Sequence, residues 1–167
     1  QKTNELKAYV IIRDMTQKKK KEKDLRTALS RLETVQREAK IGVWEFNLET
    51  KKIYWSKEVY ELFERENATP PSYKEFLNYI EEEYAKKHHD VVEKCLENHK
   101  AYSIEYPLKH KKKWLLDKGV TEIEEGRVSK LLGTVLDITD IKERELELIK
   151  ANQKLTNTMN LIPFAIF

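Results

Sequence analysis

Four side chains with metal-ligating chemistry crowd one stretch of this 167-residue chain: His88, His89, Cys95 and His99. Imidazole nitrogens and thiolates are common donors to transition metals, and Cys95 and His99 stand one helical turn apart, so a metal clip is geometrically open to them. The stretch carries no signal for the outer partners that usually orient such ligands. His88 and His89 also follow Lys86 and Lys87, a context that suits a solvated helix face. Aromatic residues form a second set: Trp44, Phe46, Tyr54, Trp55, Tyr106 and Trp114. They read as packed core or, with Gly133, as the lining of a small-molecule pocket. A third set is basic, Lys18–Lys21 and Lys109 with Lys111–Lys113, the latter beside Trp114. Basic-plus-aromatic is a weak nucleic-acid signal. Acidic runs such as Glu81–Glu83 offset it, so no nucleic-acid partner is expected.

Catalytic signatures are missing. The chain has four glycines and no phosphate-cradling Gly loop, nucleophile elbow or metal-spaced His-Glu pair. The segment is therefore expected to be non-catalytic.

The elements that must position these residues follow from pattern. Apolar residues make up 40% and charged residues 37%, which predicts much exposed helix. The net charge of +3 argues against a general polyanion or membrane surface. One cysteine precludes an internal disulfide. No apolar run approaches the roughly 20 residues of a membrane span, so a cytoplasmic location without direct membrane contact is expected, including the cytosolic part of a membrane-anchored sensor.

Tyr9–Ile12 reads as a strand, followed by Asp14 and Thr16 as turn or cap residues. Residues 17–40 lack Pro and Gly and read as helix. Leu25, Ala28, Leu32, Val35 and Ala39 are spaced 3, 4, 3, 4, which suits a coiled-coil seam and a homodimer through Leu25, Leu32 and Val35. "VWEFNLETKKIYWS" predicts a hairpin of Val43–Leu48 and Ile53–Ser56. Three short helices follow, the second capped by Ser72. Three strands come next, with Tyr102, Ile104, Tyr106 and Leu108 alternating against polar neighbours in the first, and Glu125-Gly126 turning between the second and third. Both faces of the last strand are apolar, so helices cover one side of the sheet and a flanking helix or partner subunit the other. A final helix carries Ile141, Leu148, Leu155 and Ile162 every seven residues and is capped by Thr139. The fold class is α+β: a five-stranded antiparallel sheet with short helices on one face and a connector helix at each end.

The runs "IGVWEFNLETKKIYWSKEVYELF" and "YSIEYPLKHKKKWLLDKGVTEIEEGRVSKLLGTVLDITDIKERE" together resemble a PAS domain with its closing PAC motif. Tyr106, Trp114, Gly126, Gly133, Asp137, Ile138 and Thr139 fall where that pattern expects them. The resemblance implies a sensory or relay module of a multi-domain signalling protein, similar to a sensor histidine kinase or a diguanylate cyclase. It implies a signal passing through Asp137, Ile138 and Thr139 to the helix that follows. Some relatives hold haem on the third helix, where His88 and His89 stand. The cysteine run of the photoactive flavin class is absent here. No cofactor is the first expectation, with a haem- or flavin-binding redox or gas sensor, and a structural dimerisation spacer without ligand, as alternatives. "RDMT" and "LDIT" repeat one junction, with an offset of 123 residues from Asp14 to Asp137. That repeat implies a tandem array: the end of a preceding PAS-like domain (1–16), a helical linker (17–40), one PAS domain (41–139), a connector helix (140–160) and the start of a following domain (161–167), with adjacent PAS and output domains as partners.

Overall fold

In the computed structural model, residues 2–66 and 69–160 are described, with side chains for residues 17–66 and 69–158. The proposed start of a following domain at 161–167 lies outside the described residues, as do the side chains of Asp14 and Thr16. The chain divides into two compact units, Gln1–Lys40 and Ile41–Phe167.

The first unit is one helix, α1 (Lys2–Glu38). It runs through Tyr9–Ile12, where a strand is predicted. A single strand without a sheet partner leaves its backbone groups unpaired, whereas a helix pairs them within the segment, and the surrounding Lys, Glu, Arg and Leu favour that outcome. Leu25, Leu29, Leu32 and Val35 are all exposed on α1.

The second unit is a five-stranded antiparallel sheet with three short helices, followed by a long helix: β1 (Gly42–Asn47), β2 (Ile53–Trp55), α2 (Lys57–Leu62), α3 (Tyr73–Leu77), α4 (Glu82–Asn98), β3 (Tyr102–Pro107), β4 (Trp114–Glu124), β5 (Arg127–Asp137) and α5 (Thr139–Asn160). The strand order is β2-β1-β5-β4-β3. β3 is an edge strand, which suits Pro107 because proline has no ladder donor. Glu125 and Gly126 both take positive φ, the twist a two-residue hairpin turn between β4 and β5 requires.

Period-two alternation sends one face of every strand inward. Trp55, Tyr106, Leu115 and Val135 join Val59, Tyr60, Phe63 and Ile80 in a buried core, while Tyr102 and Leu131 pack with Val92 and Cys95 of α4. The opposite sheet face keeps Val120 48% exposed. Helix α3 is fixed by a capping box: Ser72 Oγ accepts the Glu75 N–H at 3.3 Å, and Glu75 accepts the Ser72 N–H at 2.7 Å. This short helix holds Tyr73 and Phe76 over the inner face of the sheet.

Candidate functional site

The inner sheet face and helices α2–α4 enclose a cavity of about 270 Å³. Of the aromatic residues singled out from the sequence, Trp44, Phe46 and Tyr106 line it. Tyr54 does not; on a half-buried edge strand its side chain alternates outward and is 59% exposed, so Trp55 takes the inward place. Trp114 also lies away from the cavity, edge-on to Tyr84 at 5.5 Å with the Lys142 ammonium over its ring. Gly133 lines nothing, yet it positions the site. A Cβ there would meet the Trp44 ring at 2.3 Å, and a Cβ on Gly119, directly opposite Gly133 in the ladder, would meet the Tyr102 ring at 2.3 Å. The two glycines leave the space in which both rings lie against the sheet.

Those rings aim their polar atoms at one carboxylate. Asp117 on β4 is 2% exposed. Its Oδ1 accepts the Trp44 indole N–H at 2.8 Å, and its Oδ2 accepts the Tyr102 hydroxyl at 3.1 Å and faces His88 Nε2 at 3.0 Å. An indole N–H can only donate, and His88 completes the set by presenting an N–H, so three donors surround the acid. His88 Nδ1 lies 3.3 Å from the Tyr73 hydroxyl. Burial, and then the Asp117 charge, push Tyr73, Tyr102 and Tyr106 well above the ordinary tyrosine range, so all three remain phenols. Tyr106 is 1% exposed, and its hydroxyl, without a hydrogen bond to any described residue, keeps its remaining contact with the open volume of the cavity.

This polar centre was the least visible part in the sequence. Asp117 reads there as one charge in an alternating strand. His88 reads as half of a solvated pair, whereas the structure buries it and leaves only His89 exposed. The signal was the spacing: His88, Val92 and Cys95 recur at helical intervals and make the inner stripe of α4.

The metal-ligating residues do not converge. Both nitrogens of His88 are engaged, burial pushes the Cys95 thiol up, and His99 is exposed at the left-handed C-cap of α4. Among the described residues no group of three or more His, Cys, Asp or Glu is placed to hold a metal. These residues therefore do not converge on a metal clip. Of the basic run before β4, Lys111 and Lys113 are turned inward: each pairs with Glu64 at 2.9 Å, and they donate to the Phe63 and Leu62 carbonyls at the end of α2.

Directly after this basic run, the start of β4 meets α5. Ile138 is 3% exposed and gives its N–H to the Trp114 carbonyl at 2.8 Å. Thr139 Oγ1 accepts the Trp114 N–H at 3.0 Å. The helix cap thus differs from the sequence expectation. Asp137 Oδ1 accepts the Thr139 N–H at 2.9 Å and also the Thr139 hydroxyl, which leaves the Thr139 oxygen free to accept from β4. Lys142, one turn into α5, pairs with Glu105 of β3 at 2.6 Å and with Glu145 at 3.0 Å. Ile141, Leu148 and Leu155 on α5 are exposed.

Solved structures share this architecture. A sensory box histidine kinase/response regulator from Burkholderia thailandensis E264 is 20% identical, with a TM-score of 0.63 over 76% of this chain and 98% of that one. The N-terminal domain of a diguanylate cyclase with PAS/PAC sensor from Marinobacter aquaeolei is 18% identical, with a TM-score of 0.54 over 59% of this chain and 95% of that one. At these identities the likeness is one of fold. In sequence the chain is 23% identical over 164 residues to the probable diguanylate cyclase DgcE of Escherichia coli (strain K12), covering 93% of this chain and 14% of that relative's length. No helix among the described residues is long and apolar enough to cross a membrane. The family model for the PAS fold matches residues 52–135, from the approach to β2 through most of β5, and on that match the chain belongs to the PAS fold family.

Proposed function

We propose that this chain is the sensory and relay module of a larger signalling protein, in which a small molecule in the cavity biases the conformation of α5. One observation carries the reading. Asp117, at the polar centre of the cavity, and Trp114, whose backbone is bonded to Ile138 and Thr139, are three residues apart on the same strand. A ligand that redraws the hydrogen bonds of Asp117 acts on β4, and β4 holds the first turn of the output helix through Asp137, Ile138 and Thr139. The likeness to histidine kinase and diguanylate cyclase proteins supports either as the parent enzyme, with this segment itself non-catalytic.

Dimerisation belongs to the same reading. Leu25, Leu32 and Val35 on α1, and Ile141, Leu148 and Leu155 on α5, recur at heptad positions and are exposed. A parallel second copy buries them. A cytoplasmic location and neighbouring PAS and output domains complete the proposal. A structural dimerisation spacer is the competing reading, and the buried Asp117–His88 pair beside open volume favours the sensor, since a spacer needs neither.

The experiment is native mass spectrometry of the purified full-length parent, with hydrogen exchange before and after removal of any bound molecule. The sensor reading expects a bound small molecule whose loss speeds exchange in residues 138–147. No retained molecule, together with unchanged exchange in α5 on addition of any cavity-sized compound, establishes the spacer.

A further inference from the structure

The lining of the cavity specifies the kind of molecule it takes. Eight of the lining residues are aromatic: Trp44, Phe46, Trp55, Phe63, Tyr73, Phe76, Tyr102 and Tyr106. Flat rings against such walls recover stacking and edge contacts as well as area. Volume sets the size. An engineered apolar cavity of about 150 Å³ holds one benzene ring, so about 270 Å³ suits roughly two fused rings.

Charge is set by what the wall lacks and by what it has already used. Among the described residues the lining contains no Lys and no Arg. A carboxylate or phosphate on the ligand would be buried near Asp117 without a cation to meet it, a steep cost. A cationic ligand fares little better at depth, because three donors already occupy the Asp117 carboxylate. The other acid of the lining, Glu93, is exposed on α4. The group left over is the Tyr106 hydroxyl, which faces the cavity without a hydrogen bond to any described residue and can donate one hydrogen bond and accept another.

We infer that the ligand is an uncharged, flat aromatic compound of about two fused rings bearing one polar group, and that this group hydrogen-bonds the Tyr106 hydroxyl. The inference rests on the sensory reading of the cavity given above. A ligand so placed sits beside the Tyr73–His88–Asp117 chain, the part of the site that leads into β4.

The test uses the full chain and four probes of nearly equal size: 2-naphthol, naphthalene, 2-naphthoate and 1-naphthylmethylammonium, with affinity measured by calorimetry. The expected order places 2-naphthol first, naphthalene about tenfold weaker, the loss of one hydrogen bond, and both ions weaker by about a hundredfold or more. Tyr106→Phe is expected to bring 2-naphthol down to the naphthalene level and to leave naphthalene unchanged. Equal or tighter binding of either ion overturns the ligand class while leaving the sensory reading intact, and so does a Tyr106→Phe variant that binds 2-naphthol as the parent does. Failure of all four probes overturns the class as well; the sensory reading is then decided separately by whether the parent protein retains a molecule on purification.

Discussion

Thr139 accepts the main-chain N–H of Trp114 at 3.0 Å, so a side chain of the output helix extends the hydrogen-bond ladder of β4. The hydroxyl can do this because Asp137 takes over the capping of Thr139 itself. Thr139→Val keeps the shape and deletes both hydroxyl bonds. It is expected to cost about 1 kcal/mol locally, seen as roughly fivefold faster amide exchange at Trp114 and through the first turn of α5. Protection of Leu131–Leu136 should hold. Unchanged exchange at the Trp114 amide would remove this joint from the relay.

The second prediction concerns Asp117. Asp117→Ala leaves the Trp44, Tyr102 and His88 donors buried without an acceptor, and is expected to cost about 3 kcal/mol or more. Asp117→Asn should cost nearer 1 kcal/mol. Its carbonyl can keep the Trp44 N–H, while its NH₂ is met by the Tyr102 oxygen and a His88 that moves its proton to Nδ1. Thermal unfolding ranks the two variants, and nitrogen NMR of His88 reads the tautomer. Equal losses for Ala and Asn would mean that hydrogen bonding at this carboxylate does not hold the cluster together.

A third prediction follows from the facing glycines. A Cβ at Gly133 also approaches the Lys118 carbonyl at 2.4 Å, and backbone yields less than a flexible side chain. Gly133→Ala is therefore expected to cost about 2–3 kcal/mol and to displace Trp44 from Asp117, with a red-shifted, more quenchable tryptophan emission. Emission and stability like the parent's would show that the sheet can absorb the methyl group.

The fourth prediction is a pH effect at the rim. Hydrogen bonds and then charge from Lys113 and Lys111 bring the exposed Glu64 carboxyl down to about 2 from an ordinary value of 4.5. The folded value is the lower one, so the stabilisation is complete above about 4.5 and is lost as pH falls through about 2. Glu64→Gln should flatten the acid side of the unfolding midpoint between those limits. Because the group is exposed, about 1 M salt should return its titration towards the ordinary range, readable by carboxyl NMR.

What could be read in the sequence was whatever repeats with a period. Tyr102, Ile104 and Tyr106 alternate against Ser103 and Glu105, and that pattern located β3 without a structure. Ser72 marked the start of α3 as a cap, and the structure adds Glu75 as the other half of the box. Asp117 escaped because its donors lie 73, 29 and 15 residues away, and no local pattern announces a meeting of four elements. Thr139 was assigned a cap because threonine at a helix start usually is one; here the neighbouring Asp137 does that work. Tyr9–Ile12 shows the converse error, since an apolar run reads as a strand only where a sheet exists to receive it.

The strand order β2-β1-β5-β4-β3 places the last strand to be made at the centre of the sheet. The N-terminal hairpin has no other neighbour to pair with: Gly42 waits for Val135 and Trp44 for Gly133. Folding is therefore gated by a long-range closure, and such closures are slow relative to hairpin formation. Until β5 arrives, the chain is two separate pieces, a lone hairpin with its short helices and an unfinished β3–β4 ribbon, each showing apolar surface and open edges. A nascent chain that stalls before Val135 should bind chaperones, and a fragment ending there should fail to fold however much of the cavity it still encodes.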